Sequence, residues 1–261
     1  MYSTKKKLVV FLALSIAIYS NGSAQLQQRN KRDLSAIYKE IAQRNLTLVS
    51  RERYDTIDIL SKTIHSEQIE GDIVECGIWR GGMSIYMAYA FPGKKCWVCD
   101  SFQGFEPLDH CKYDPRGILV ERHHNGYVCI APEDEVKQSF AELGLDETQG
   151  IAFLPGWVND TTDPSTCPIG KIALLRIDVD AYSATLVVLE NLFDKVVPGG
   201  FVIFDDTGLY ETDAAIREFE RKRGIHIISE LYNPLGNFVG KLTGEHGLYY
   251  RKPPAEELPA L

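Results

Sequence analysis

The chain has 261 residues, 44% hydrophobic and 25% charged, the composition of a folded globular protein with room for one large domain or two small ones. Its net charge of −8, from 36 acids against 28 bases, argues against a nucleic-acid partner. A chain of this length does not need its six cysteines as staples, and no second C-x-x-C or paired histidine motif completes a zinc site.

Residues 1–24 stand apart. Lys5, Lys6 and Lys7 precede the apolar run Leu8 to Tyr19, and Asn21-Gly22-Ser23-Ala24 follows. This is the layout of a secretory signal peptide cleaved after Ala24, or of a membrane tether through residues 8–19, although twelve apolar residues are short for a span. Residues 25–70 carry helical periodicity. Leu34, Ile37, Tyr38, Ile41 and Leu48 form one patch, and Ile57, Ile59, Leu60 and Ile64 a second. They are expected to pack in the core, or to cover a sheet edge or a pocket.

Residues 71–251 read as alternating strands and helices. Ile73 and Val74 run into Glu75, then a turn punctuated by Gly77, Gly81 and Gly82, then a helix from Met83 to Phe91. This is the nucleotide-binding opening of a Rossmann-like sheet. The pattern is E-x-G-x-x-x-G, and an acid at the strand end suits a cationic amino group better than a pyrophosphate. That favours S-adenosylmethionine over NAD. Lys95 to Asp100 is the next strand, and Asp100 lies near the spacing at which a strand-end acid takes a ribose diol. Cys96 and Cys99 fall in that strand, where positions i and i+3 face opposite ways, so they are expected to be structural.

Ser101 to Gly126 is an irregular, substrate-contacting stretch that includes His123 and His124. Pro132 to Leu143 predicts an amphipathic helix with an acidic first turn, and Ile151 to Leu154 a third strand. Trp157, just beyond it, is suited to stack on an adenine, to wall a pocket or to pack in the core. Two apolar runs then end in acid: Leu174 to Asp180 (L-L-R-I-D-V-D) and Gly200 to Asp206 (G-F-V-I-F-D-D). Ala184 to Phe193 is the crossover helix, which Pro198-Gly199-Gly200 is expected to end. Residues 212–223 predict a further helix, and Ile225 to Ile228 with Gly247 to Tyr250 an antiparallel closing pair. The tail 252–261 is proline-rich and expected to be disordered.

Buried parallel strands place such acids at the carboxyl edge, where open α/β sheets bind ligands. Four acids converging there repel one another unless a cation or proton intervenes. Oxygen-only ligands suit Mg²⁺. Asp178, Asp205 and Asp206 are assigned as ligands, and Asp180 as the proton acceptor for a substrate hydroxyl.

The chain resembles the macrocin O-methyltransferase (TylF-type) family. The residues that carry this are E-G-D-I-V-E-C-G-I-W-R-G-G (70–82), W-V-C-D-S-F-Q-G-F (97–105), F-L-P-G-W-V-N-D-T (153–161), L-R-I-D-V-D-A-Y-S-A-T (175–185) and P-G-G-F-V-I-F-D-D (198–206). The resemblance covers about residues 45–251. It implies a Rossmann-like class I methyltransferase sheet, mostly parallel with an antiparallel closing strand and helices on both faces. It implies an S-adenosylmethionine- and Mg²⁺-dependent O-methyltransferase acting on a hydroxyl of a sugar or other small molecule. Carried over by motif, Asp178, Asp205 and Asp206 hold the metal and Asp180 is the base. Glu75 and the glycine turn hold the methionine part of the cofactor, and Asp100-Ser101 the ribose. The family's Y-x-S-T reads Tyr182-Ser183-Ala184-Thr185 here. The signal-like start is unexpected, because the cofactor is made in the cytosol. It favours a rival reading: a secreted or membrane-tethered binding protein that keeps the fold without turnover. An oxidoreductase is disfavoured by the absence of G-x-G-x-x-G. Acceptor, oligomeric state and the side of the membrane faced stay open.

Overall fold

The computed structural model describes residues 32–105, 112–113, 119–121 and 129–254. The leader-like segment 1–24, His123 and His124, and the tail beyond residue 254 lie outside the described residues, as does most of the loop 106–126. Among the described residues no helix is long and apolar enough to cross a membrane.

Two N-terminal helices come first, α1 (Leu34–Gln43) and α2 (Arg51–Ser66). Asp33 caps α1 by accepting the Ser35 amide at 3.1 Å. Ile37 and Ile41 on α1, with Ile57, Leu60 and Ile64 on α2, are buried in one continuous core cluster. Leu48 does not extend α1 as its spacing suggested. It lies between the two helices, 75% exposed. The Arg44 and Asn45 amides close the last turn of α1, and Asn45 takes a positive φ of 55°, which stops the helix before Leu48 is reached.

The α/β part follows. It runs β1 (Asp72–Cys76), α3 (Gly82–Ala90), β2 (Cys96–Asp100), a small hairpin of β3 (Lys112–Tyr113) with β4 (Leu119–Glu121), and α4 (Glu133–Glu142). Then come β5 (Ile151–Pro155), the single turn α5 (Val158–Thr161), β6 (Ile172–Ile177), α6 (Tyr182–Leu192), β7 (Val196–Phe204) and α7 (Tyr210–Arg223). β8 (Leu231–Tyr232) and β9 (Leu248–Arg251) close the sheet. The strand order is β5-β2-β1-β6-β7-β9-β8, with β9 antiparallel to both of its neighbours and the other pairings parallel. This is the doubly wound sheet expected, and the order reverses between β1 and β6. Alternation puts Cys96 and Val98 in the core cluster on one face, and Trp97 and Cys99 in the cluster on the other. Contact with Cys76, together with burial, pushes the Cys99 thiol well up, as befits a structural cysteine.

Two expectations are corrected here. Pro198-Gly199-Gly200 does not separate helix from strand. A 3₁₀ turn at Phe193–Lys195 ends α6, and β7 already starts at Val196. The Pro-Gly-Gly stretch is instead a bulge, because Ile172 pairs with Val196 while Leu174 pairs with Phe201. Ile225 to Ile228 is not a strand either. The Ile227 and Ile228 amides donate to the Glu220 side chain at 2.5 and 2.6 Å, so they close the end of α7 rather than join a ladder. The closing pair is β8 with β9.

Backbone hydrogen bonding continues one residue past the strand ends. Gly77 donates to the Cys99 carbonyl, Asp178 to Cys76, Asp205 to Ile177 and Gly156 to Asp100, all at 2.8–2.9 Å. The carboxyl edges of β2, β1, β6 and β7 are therefore in line. Gly77 makes that alignment feasible: its φ is +82°, and a Cβ there would sit 1.7 Å from the Asp178 carbonyl oxygen. Gly77→Ala is expected to destabilise the protein by on the order of 2 kcal/mol or more in urea denaturation, because backbone must shift to admit the methyl.

Candidate active site at the carboxyl edge of the sheet

A cavity of about 460 Å³ opens above the switch point between β1 and β6. That size suits a small-molecule site. Glu75, Gly77, Asp100, Ser101 and Trp157 line it, and so do Asp178, Asp180 and Asp206. The N-terminal helices contribute Leu46 to Val49 and Arg53 to the wall, so the polar start of the chain has a role at the site as well as in the core. Gly81 and Gly82 do not reach the cavity. A Cβ on Gly81 would meet the Phe140 ring at 2.6 Å, and one on Gly82 the Leu46 carbonyl at 2.4 Å. Their close approach is to the protein itself.

The floor is a buried charge network that sequence reasoning missed. Arg176 sits in β6, in register beside Glu75 of β1 and Ile203 of β7, and is 1% exposed. Its Nη1 donates to Glu75 and, at 2.7 Å, to Asp178 Oδ2. Its Nη2 forms an ion pair with Asp205 Oδ1 that lies off the hydrogen-bond axis, so both atoms lack a well-aligned partner. The other Glu75 oxygen accepts from Ser84 Oγ. The other Asp205 oxygen accepts from Arg53, which arrives from α2. A lone arginine inside an apolar strand run was the available signal for Arg176, since buried guanidinium needs acidic partners. Arg53 carries no such signal, because R-E-R-Y at a helix start reads as solvated surface.

Asp178, Asp205 and Asp206 come together: each offers a carboxylate oxygen within 4.8 Å of the others. Asp205 and Asp206 are 1% and 5% exposed. Burial, with the charges of Asp205 and Asp180 added and Arg176 opposing, pushes Asp178 up to about 7. Burial, then Asp178, Asp180 and Asp205, pushes Asp206 well above the ordinary carboxylate range. Burial raises Glu75 as well, against the pull of Arg176. Arg176 itself is pushed up: burial acts to lower it, and the surrounding acids outweigh that. Carboxylates this close and this dry hold protons or a cation, so the donor set fits a hard divalent ion. Asp180 lies next to the triad at a φ of +55°, and its amide donates to Asp206 Oδ2 at 2.8 Å. A strained backbone fixed by a neighbouring carboxylate is typical of a functional position.

At the other end, one Asp100 oxygen accepts the Ile78 amide at 2.8 Å and the Trp79 amide at 3.3 Å. The other oxygen accepts the Phe102 amide at 2.7 Å. Asp100 therefore ties the glycine turn to the end of β2. Burial raises its pKa, and these amides oppose the rise. Ser101 Oγ donates to the Gly104 carbonyl at 3.1 Å, shaping the next turn. Trp79 (φ +49°), Trp157, Cys129 and His246 also line the cavity. Trp79, Cys129 and His246 were not singled out from the sequence.

This sheet order, with a carboxylate-lined cavity at its switch point, is the Rossmann-like class I fold of the O-methyltransferases to which the chain is similar. The chain belongs to the macrocin-O-methyltransferase (TylF) family, whose model matches residues 4–232. It is 34% identical over 184 residues to the 8-demethyl-8-(2,3-dimethoxy-alpha-L-rhamnosyl)-tetracenomycin-C 4'-O-methyltransferase of Streptomyces olivaceus, covering 69% of each chain. It is 32% identical over 189 residues to the mycinamicin III 3''-O-methyltransferase of Micromonospora griseorubida, covering 69% of this chain and 72% of that one. The solved structure of the O-methyltransferase NovP superposes with a TM-score of 0.67 at 28% identity, over 89% of this chain and 99% of that one.

Arg176→Met is expected to destabilise the protein by about 3–5 kcal/mol in chemical denaturation, because the acids around it stay buried without their counter-charge. Adding Glu75→Gln to that variant should recover part of the loss, as a double-mutant cycle would measure.

Proposed function

We propose that the protein transfers a methyl group from S-adenosylmethionine to a sugar hydroxyl of a glycosylated small molecule, with Mg²⁺ held by Asp178, Asp205 and Asp206. The observation that carries this reading is the carboxylate triad with Asp180 beside it, of which Asp178, Asp206 and Asp180 line the same cavity as Gly77, Asp100 and Ser101 while Asp205 lies buried behind them. The relatives support the acceptor class, since the two named above are enzymes for a rhamnosyl tetracenomycin and a mycinamicin.

S-adenosylmethionine supplies an electrophilic methyl on a sulfonium, and a divalent ion supplies a Lewis acid that lowers a hydroxyl's pKa. The chain's own residues do the rest. The Asp100-Ser101 edge would hold the ribose, and the glycine turn after β1 the methionine part. Glu75 gives the floor beneath the methionine end its negative charge, tempered by Arg176. Trp157 and Trp79 wall the site against water. Asp180 takes the hydroxyl proton as the acceptor oxygen attacks, its position set by the Asp206 contact. Positioning and charge compensation carry most of the rate.

Calorimetric titration of the protein with S-adenosylmethionine, with and without Mg²⁺, tests the reading, and absence of binding in both conditions would sink it. Asp205→Asn should abolish Mg²⁺-dependent turnover of a rhamnosyl glycoside while leaving cofactor affinity nearly intact. Survival of activity in that variant would remove Asp205 from the ligand set. Asp180→Asn should lower kcat on the same acceptor by about 10²–10⁴-fold with Mg²⁺ affinity retained, the loss typical of a missing general base.

A further inference from the structure

Arg53 belongs to no motif, yet it touches the carboxylate on which the metal reading depends. Its guanidinium pairs with Asp205 Oδ2, and its own side chain is 20% exposed where it borders the cavity. The stem is held from several sides. A Cβ on Gly247 would lie 3.4 Å from Arg53 Cγ, and the Gly247 amide donates to the Asp205 carbonyl at 2.8 Å. Three residues along α2, Thr56 Oγ1 donates to the Pro234 carbonyl at 2.9 Å. The guanidinium is therefore delivered to Asp205 by a braced helix rather than by a free surface side chain.

The charges around it are informative. Glu75, Asp178 and Asp205 pair with two guanidinium groups, Arg176 and Arg53, and Asp206 completes the carboxylate cluster. Acids therefore outnumber guanidinium groups here, Asp180 beside the triad adds to the excess, and a divalent ion would offset it. Arg176 is enclosed and shared among three acids, so it is a fixed part of the floor. Arg53 engages Asp205 alone among the triad and borders the cavity.

We propose that Arg53 is a resident counter-cation that shares Asp205 with the divalent ion and thereby sets the ion's affinity. The inference rests on the Mg²⁺ reading above. A positive charge on the same carboxylate repels an incoming ion, and at a buried site solvent screens that repulsion poorly. Removing it has two effects of opposite sign. The metal-free protein loses the partner of a buried acid and becomes less stable. The ion meets one more unit of negative charge and binds more tightly. A side chain that merely oriented Asp205 would weaken both when removed.

The test uses the full chain and Mn²⁺ as the probe, titrated calorimetrically against the wild type, Arg53→Met, Arg53→Gln and Arg53→Lys. Both neutral variants should bind Mn²⁺ at least about tenfold more tightly than the wild type, and the lysine variant within about threefold of it, because lysine keeps the charge. Metal-free Arg53→Met should melt below the wild type, and saturating Mn²⁺ should close the gap. If Arg53→Met does not fold, Arg53→Gln carries the comparison. Equal or weaker binding in the neutral variants, or a lysine variant that matches them, would overturn the proposal. A wild type that binds no Mn²⁺ would instead overturn the Mg²⁺ reading beneath it.

Discussion

The carboxyl edge of the sheet depends on one side chain, Arg176, placed inside an apolar strand among acids. Its guanidinium, 1% exposed, meets Glu75 from β1, Asp178 from the end of its own strand and Asp205 from β7. A buried guanidinium without partners would cost far more than a domain's net stability can absorb. The three acids are equally dependent on it. The parallel register β1-β6-β7 is what lets them meet, since Glu75 pairs directly with Arg176 across the ladder. Strand pairing and charge pairing thus specify the same arrangement.

Function follows from what that arrangement leaves over. Arg176 satisfies Glu75 and part of Asp178 and Asp205, but Asp206 has no guanidinium contact among the described residues. Its Oδ2 accepts the Asp180 amide instead, which places Asp180 beside the triad. The surplus of negative charge therefore lies on the cavity side of the network. Beyond β1 and β2 the same edge is built of backbone turns, held by Asp100, that suit a nucleoside. One row of strand ends supplies an acid-rich half and an amide-rich half, which matches the two-substrate chemistry of an O-methyltransferase.

The N-terminal helices complete the site rather than only covering the sheet. The Leu46 carbonyl accepts the Gly82 amide at 3.1 Å, fixing the start of α3, while Leu46 to Val49 and Arg53 form one wall of the cavity. Packing of Ile37, Ile41, Ile57 and Leu60 into the core cluster holds that wall in place. Burial far from the chemistry is in this way converted into position at the chemistry.

The sequence by itself determined the fold class, most strand and helix positions, and the acids at the ends of β6 and β7. Those signals are local: an apolar run, a glycine turn and an aspartate pair each declare themselves within a dozen residues. It misplaced Leu48, the Pro-Gly-Gly stretch and Ile225 to Ile228, where the deciding partners are an early helix stop, a bulge against β6 and the Glu220 side chain. It was silent on Arg176 as a hub and on Arg53. Glu75 and Arg176 are 101 residues apart, and Arg53 and Asp205 are 152 apart. Only the register of parallel strands and the docking of α2 bring such pairs into contact. A charge can be read from sequence, but which charge neutralises it is decided by tertiary packing.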